Sequence, residues 1–142
     1  PAVWDSWDAA AATMQERLGD VYPNWSRSDY DAFARRTCRE QPDGTIGFDY
    51  DMAIAVPFAA TNDSNALDLW PLLNGLKDKP VTLLRGELSD LLAPEVAERM
   101  VRELGTEAEL VTVAGVGHAP VLDEPEAVAA LDRLLEKVRG RL

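Results

Sequence analysis

Two short apolar runs, separated by one amphipathic segment, limit what this chain can become more than anything else in it. Val81–Leu84 and Leu110–Val113 are rich in β-formers, and glycines stop them at Gly86 and Gly115. Runs of this length bounded by turn residues suit buried strands. Between them Pro94 opens a helix, Val96, Ala97, Met100, Val101 and Leu104 stripe one face of it, and Gly105 closes it. A strand–helix–strand crossover of this kind joins parallel strands. Parallel neighbours lie about 4.8 Å apart and end on the same edge. The loop carrying Asp90 and the loop carrying His118 are therefore expected to meet at the carboxyl edge of the sheet, where open α/β sheets place their ligands.

That meeting suits an acid–base pair. A histidine serving as general base is held in one tautomer by a carboxylate on its far nitrogen. A lone histidine is more often a surface or satisfied core residue, but His118 follows a strand and has Asp90 within reach of the same edge. Gly115 and Gly117 let the backbone turn sharply there. Glu87 competes with Asp90 from the same loop. Ser89 reads as a loop hydrogen-bonder, and Asp123 as a helix cap ahead of Glu124 and Pro125.

LRGELSDLL followed by AGVGHAPVLDEPE resembles the C-terminal half of an α/β-hydrolase-fold enzyme. In that family the order along the chain is nucleophile, acid, histidine. The resemblance implies Asp90, in preference to Glu87, as the acid and His118 as the histidine. It also implies a partial α/β-hydrolase fold: a helical lid over residues 1–66, then a βαβα unit with two parallel strands over residues 67–142. What it lacks is the nucleophile. Ser6, Ser26, Ser28, Ser64 and Ser89 are the serines, and none stands in a G-x-S-x-G elbow.

Residues 1–66 read as mostly helical, without a buried strand run. Ser6 caps a helix with Trp7, Ala10, Ala11, Met14 and Leu18 at helical spacing. Ser28 with Asp31 resembles a capping box for a second, faced by Tyr30, Phe33, Ala34, Thr37 and Cys38. Gly47–Phe58 is expected to run extended into a short helix with Pro57 near its end, and Thr61–Asn65 to be loop. Trp4, Trp7, Trp25 and Trp70 are core aromatics or, under a lid, the lining of an apolar pocket. Past the crossover, Asp68 caps a helix through Trp70, Leu72, Leu73 and Leu76. A terminal helix carries a stripe of Val128, Leu131, Leu134, Leu135 and Val138.

Composition excludes several function classes. A net charge of −11 over 142 residues argues against nucleic acid and anionic membranes as partners. One cysteine and one histidine cannot build an ordinary structural zinc site, and no cofactor motif occurs, so no metal or cofactor is expected. No apolar run approaches a membrane span, and a single cysteine fits a reducing cytoplasm. Two functions fit. In one, the chain supplies the acid and histidine of a hydrolase acting on a small, largely apolar substrate, with the nucleophile outside it. In the other, it is a non-catalytic fragment or interaction module, associating with an N-terminal half or a second copy through an open strand edge.

Overall fold

Ser6 stands in extended backbone and its hydroxyl accepts from the Ala9 amide at 3.1 Å, satisfying one donor that a helix start leaves unpaired. The helix it starts, α1 (Trp7–Leu18), buries Ala10, Ala11 and Met14. The computed structural model describes residues 3–55 and 68–141, and the chain divides into two compact units, Pro1–Ala66 and Leu67–Leu142.

In the first unit α1 packs on α2 (Arg27–Thr37), which buries Tyr30 and Ala34. The capping box falls on Ser26 and Asp29, two residues before the pair expected from sequence. Ser28 instead pairs with the Ser26 hydroxyl at 2.7 Å, and Asp31 accepts from Arg27 Nε at 3.3 Å. Cys38 is buried, but on a strand and not on the helix. It opens β2 (Cys38–Glu40), which turns through Pro42-Asp43-Gly44 into β3 (Ile46–Phe48). With β1 (Val3–Trp4) these make an antiparallel sheet in the order β1-β3-β2. This corrects the expectation of a mostly helical segment without a buried strand run: strands of two and three residues are too short to carry a readable alternation. Trp4, Cys38 and Ile46 from the sheet and Ala10, Ala11, Met14, Tyr30 and Ala34 from the helices form one core. Trp4 donates to Thr13 Oγ1 at 2.9 Å, and Tyr30 to the Tyr22 carbonyl at 3.0 Å, so both buried polar tips are paired. Trp7 and Trp25 pack half-buried against this core. A 3₁₀ turn, Met52–Ala55, follows. Pro57, Thr61–Asn65 and Ser64 lie outside the described residues.

The second unit opens with α3 (Trp70–Asn74), whose first amide is accepted by Asp68 Oδ1 at 3.1 Å. The helix ends before Leu76, shorter than expected. Then come β4 (Val81–Gly86), α4 (Pro94–Leu104), β5 (Ala108–Val113) and α5 (Pro125–Arg139). β4 and β5 pair in parallel, Val81 opposite Ala108 through to Gly86 opposite Val113. The crossover forms as its breakers dictate: Pro94 lies in the first turn of α4, and Gly105 ends it at φ 93°. Both helices pack on the strands. The strands are less buried than their apolar runs imply, because Val81–Leu84 and Ala108–Val111 are only half-covered. A sheet of two strands is narrow, and α5 touches it through Ala127 and Ala130. Leu131 and Leu134 are half-buried, while Val128, Leu135 and Val138 of the expected stripe remain exposed. The N-cap of α5 is Glu124 and not Asp123. Its carboxylate accepts from the Val121 and Leu122 amides at 2.9 Å each. Among the described residues no helix is long and apolar enough to cross a membrane.

Candidate active site

β4 and β5 deliver their following loops to one edge, and the main chain ties those loops together. The Glu87 amide donates to Val113 O and the Leu88 amide to Val116 O, both at 2.8 Å. The Glu87 carboxylate adds a third tie, accepting from the Gly115 amide at 2.8 Å. Gly115 sits at φ 66°, where a side chain would be strained. Gly86 is required for another reason: a Cβ there would run into the carbonyl oxygens of Val116 and Gly117. The strand end and the histidine loop thus touch backbone to backbone.

His118 is exposed, while Val116 and Gly117 just before it are buried. Its Nδ1 lies 3.3 Å from Ser89 Oγ. Ser89 also accepts from the Leu92 amide at 3.1 Å, which leaves its own proton free for Nδ1, or a lone pair free for Nδ1–H in the other tautomer. Asp90, the next residue, is exposed and makes no hydrogen bond or ion pair among the described residues. The fold therefore brings His118 to the Ser89–Asp90 turn. The hydrogen bond at Nδ1 runs to Ser89.

One further side chain stands under the turn. Arg85 is the one buried charged residue among those described, 6% exposed, and it donates to the carbonyls of Leu92, Glu87 and Ser89. Sequence reasoning passed over it. The available signal was an arginine at the end of an apolar strand run, where its five donors must all find acceptors. The described serines all have local partners as well: Ser6 and Ser26 at helix starts, Ser28 on Ser26, and Ser89 on Leu92 and His118.

An apolar recess of about 600 Å³ opens elsewhere on the second unit, lined by Trp70, Leu72, Leu73, Leu76, Val96 and Met100 among others. Neither Asp90 nor His118 lines it. Arg99 lies over the Trp70 ring at 3.8 Å. Among the described residues no group of three or more His, Cys, Asp or Glu is placed to hold a metal.

The sequence profile described as "Alpha/beta hydrolase family" matches residues 1–131. Among solved structures, an alpha/beta hydrolase from Novosphingobium aromaticivorans DSM 12444 is 43% identical with a TM-score of 0.86, the match covering 96% of this chain and 47% of that one. A putative hydrolase from Rickettsia typhi is 18% identical with a TM-score of 0.73, over 96% of this chain and 44% of that one. E-2-(acetamidomethylene)succinate hydrolase is 22% identical with a TM-score of 0.66, over 97% of this chain and 47% of that one. The chain thus spans about half the length of the solved structures it matches. Among curated proteins none matches the sequence.

Proposed function

Because this chain belongs to the alpha/beta hydrolase family, we propose that it supplies the acid and the histidine of a hydrolase's catalytic triad, Asp90 and His118. The nucleophile comes from outside these residues. The observation that carries the reading is the contact of His118 Nδ1 with the turn after β4, at 3.3 Å from Ser89 Oγ. His118 Nε2 takes the proton of the nucleophile or of a hydrolytic water and returns it to the leaving group. Asp90 holds the ring by accepting from Nδ1–H, replacing the neutral Ser89 hydroxyl with a stronger charge-assisted bond. Glu87 is the poorer choice for that role, since its carboxylate is engaged by the Gly115 amide. The substrate is small and largely apolar. A serine nucleophile gives ester, thioester, lactone or C–C bond hydrolysis, with ester-type bonds the first choice; an aspartate gives epoxide or haloalkane hydrolysis. Residues 1–66 serve as the lid, and the enzyme works in the cytoplasm without a cofactor.

The test uses activated esters. The chain alone turns over no nitrophenyl ester through His118, because it lacks a positioned nucleophile and oxyanion donors. In a polypeptide that also carries the first half of the fold, His118→Ala and Asp90→Asn each lower kcat by on the order of 10³-fold or more. Turnover by the chain alone that His118→Ala abolishes would refute the first statement. Full activity in Asp90→Asn, with loss in Glu87→Gln, would move the acid to Glu87.

A second reading rests on the sheet. Among the described residues β4 pairs with β5 alone. In this reading an unpaired, apolar strand edge recruits a second copy or a separate N-terminal half, burying more than about 1,000 Å². Light scattering at micromolar concentration decides it, and a cooperatively unfolding monomer excludes the self-pairing form.

A further inference from the structure

Arg85 stands one residue before the end of β4, and its guanidinium hydrogen-bonds main-chain carbonyls. Nε donates to Leu92 O at 2.6 Å, Nη1 to Glu87 O at 3.2 Å and Nη2 to Ser89 O at 3.3 Å. All three carbonyls belong to the turn that carries Ser89 and Asp90. Converging carbonyl oxygens repel one another, and a tight turn points them inward only if something positive lies between them. A buried ammonium is a point charge with freely rotating donors, whereas the planar guanidinium presents its donors at fixed spacing. The fork therefore sets where each of the three carbonyls can be. Nothing else described bridges Glu87, Ser89 and Leu92 at once.

The consequence passes directly to the site. Ser89 is gripped at its carbonyl by Arg85, and at its hydroxyl it bonds the Leu92 amide and faces His118 Nδ1. We propose that Arg85 is a positioning residue of this hydrolase: by clamping the 87–92 turn it fixes the height at which Ser89 and Asp90 meet the His118 imidazole. The inference rests on the roles proposed for Asp90 and His118. Arg85 hydrogen-bonds the carbonyls of the turn and not His118, so it acts through the turn.

His118 is the single histidine of the chain, so its ring nitrogens give unambiguous ¹⁵N resonances. The experiment compares the chain with its Arg85→Met, Arg85→Lys and Ser89→Ala variants, reading the His118 ring shifts and the exchange of backbone amides. Arg85→Met removes the cation, Arg85→Lys keeps charge and stem but loses the fork, and Ser89→Ala reports the imidazole without its neighbour. In both Arg85 variants the Leu88 and Leu92 amides are expected to exchange at least about tenfold faster, with α4 and α5 unchanged. The His118 Nδ1 resonance is expected to move toward its position in Ser89→Ala. Wild-type turn amides and ring shifts in Arg85→Met overturn the proposal. So does full restoration by Arg85→Lys, which would make buried charge alone sufficient. Loss of the folded spectrum of α4 and α5 in both variants also overturns it, by making Arg85 a residue of general stability. No substrate is needed: if His118 takes no part in hydrolysis the turn signals still move. If Arg85 has no hold on the turn they stay, while the loss of turnover in His118→Ala stands.

Discussion

Gly86→Ala is the sharpest perturbation the second unit offers. The added methyl meets the carbonyl oxygens of Val116 and Gly117, and both are main chain, so neither can swing aside like the end of a side chain. Overpacking of this kind costs about 1–3 kcal/mol. To make room the histidine loop must back away from β4, which stretches the 2.8 Å bond from the Leu88 amide to Val116 O. A lost hydrogen bond adds about 1 kcal/mol, so the expected total is about 3 kcal/mol. The assay is urea unfolding followed at the Hε1 resonance of His118, which reports this unit alone. With a slope of about 1.5 kcal/mol/M, the midpoint drops by about 2 M. Gly140→Ala is the control: its Cβ finds Glu136 O at 3.5 Å and Lys137 O at 3.8 Å, ordinary contacts, at φ −68°. That change should be neutral or stabilising by up to about 1 kcal/mol. Equal midpoints for Gly86→Ala and wild type would refute the backbone contact between β4 and the histidine loop, and with it the site geometry.

Three further outcomes follow from the first unit and the surface. The bonds from the Ser26 side chain and amide hold the Asp29 carboxyl below its ordinary pKa. Its contribution is therefore present above the unfolded carboxylate pKa and is lost as pH falls through the lower folded value; Asp29→Asn should flatten that acid limb in a pH series of thermal midpoints, and an unchanged limb would argue against the cap. Burial pushes the Cys38 thiol up, with Asp49 adding to the rise and the Thr37 hydrogen bond opposing it. Iodoacetamide at pH 8 should therefore label Cys38 at least about tenfold more slowly than a free thiol, and rapid stoichiometric labelling would contradict its place in the core. Glu109→Gln removes the exposed pair with Arg133 and should shift stability by less than about 1 kcal/mol, a shift that shrinks further in high salt; a salt-independent loss would mean the pair does more than meet at the surface.

Much of the second unit was legible in the sequence because its signals are local. Pro94 and Gly105 bracket α4, β-rich runs mark β4 and β5, and the crossover rule makes the strands parallel, so their following loops share an edge whatever else surrounds them. That puts Asp90 and His118 on neighbouring loops from the sequence alone. The first unit was less legible. Its strands hold two or three residues, too few for a period, and they exist because Trp4, Cys38 and Ile46 join the helices in one core. The choice of Ser26 over Ser28 as cap was likewise beyond sequence, since both have an aspartate three residues on, and the helix starts at Arg27 with Tyr30 and Ala34 buried. At the site itself, residue types and order came from the chain alone. That Ser89 is the group on His118 Nδ1, that Glu87 is spent on Gly115, and that Arg85 lies buried under three carbonyls were decided by tertiary structure. The first two depend on how closely two loops distant in sequence approach, and at Gly86 that approach needs the missing side chain, because carbonyls pack against it; the third depends on how the turn after β4 folds back over Arg85.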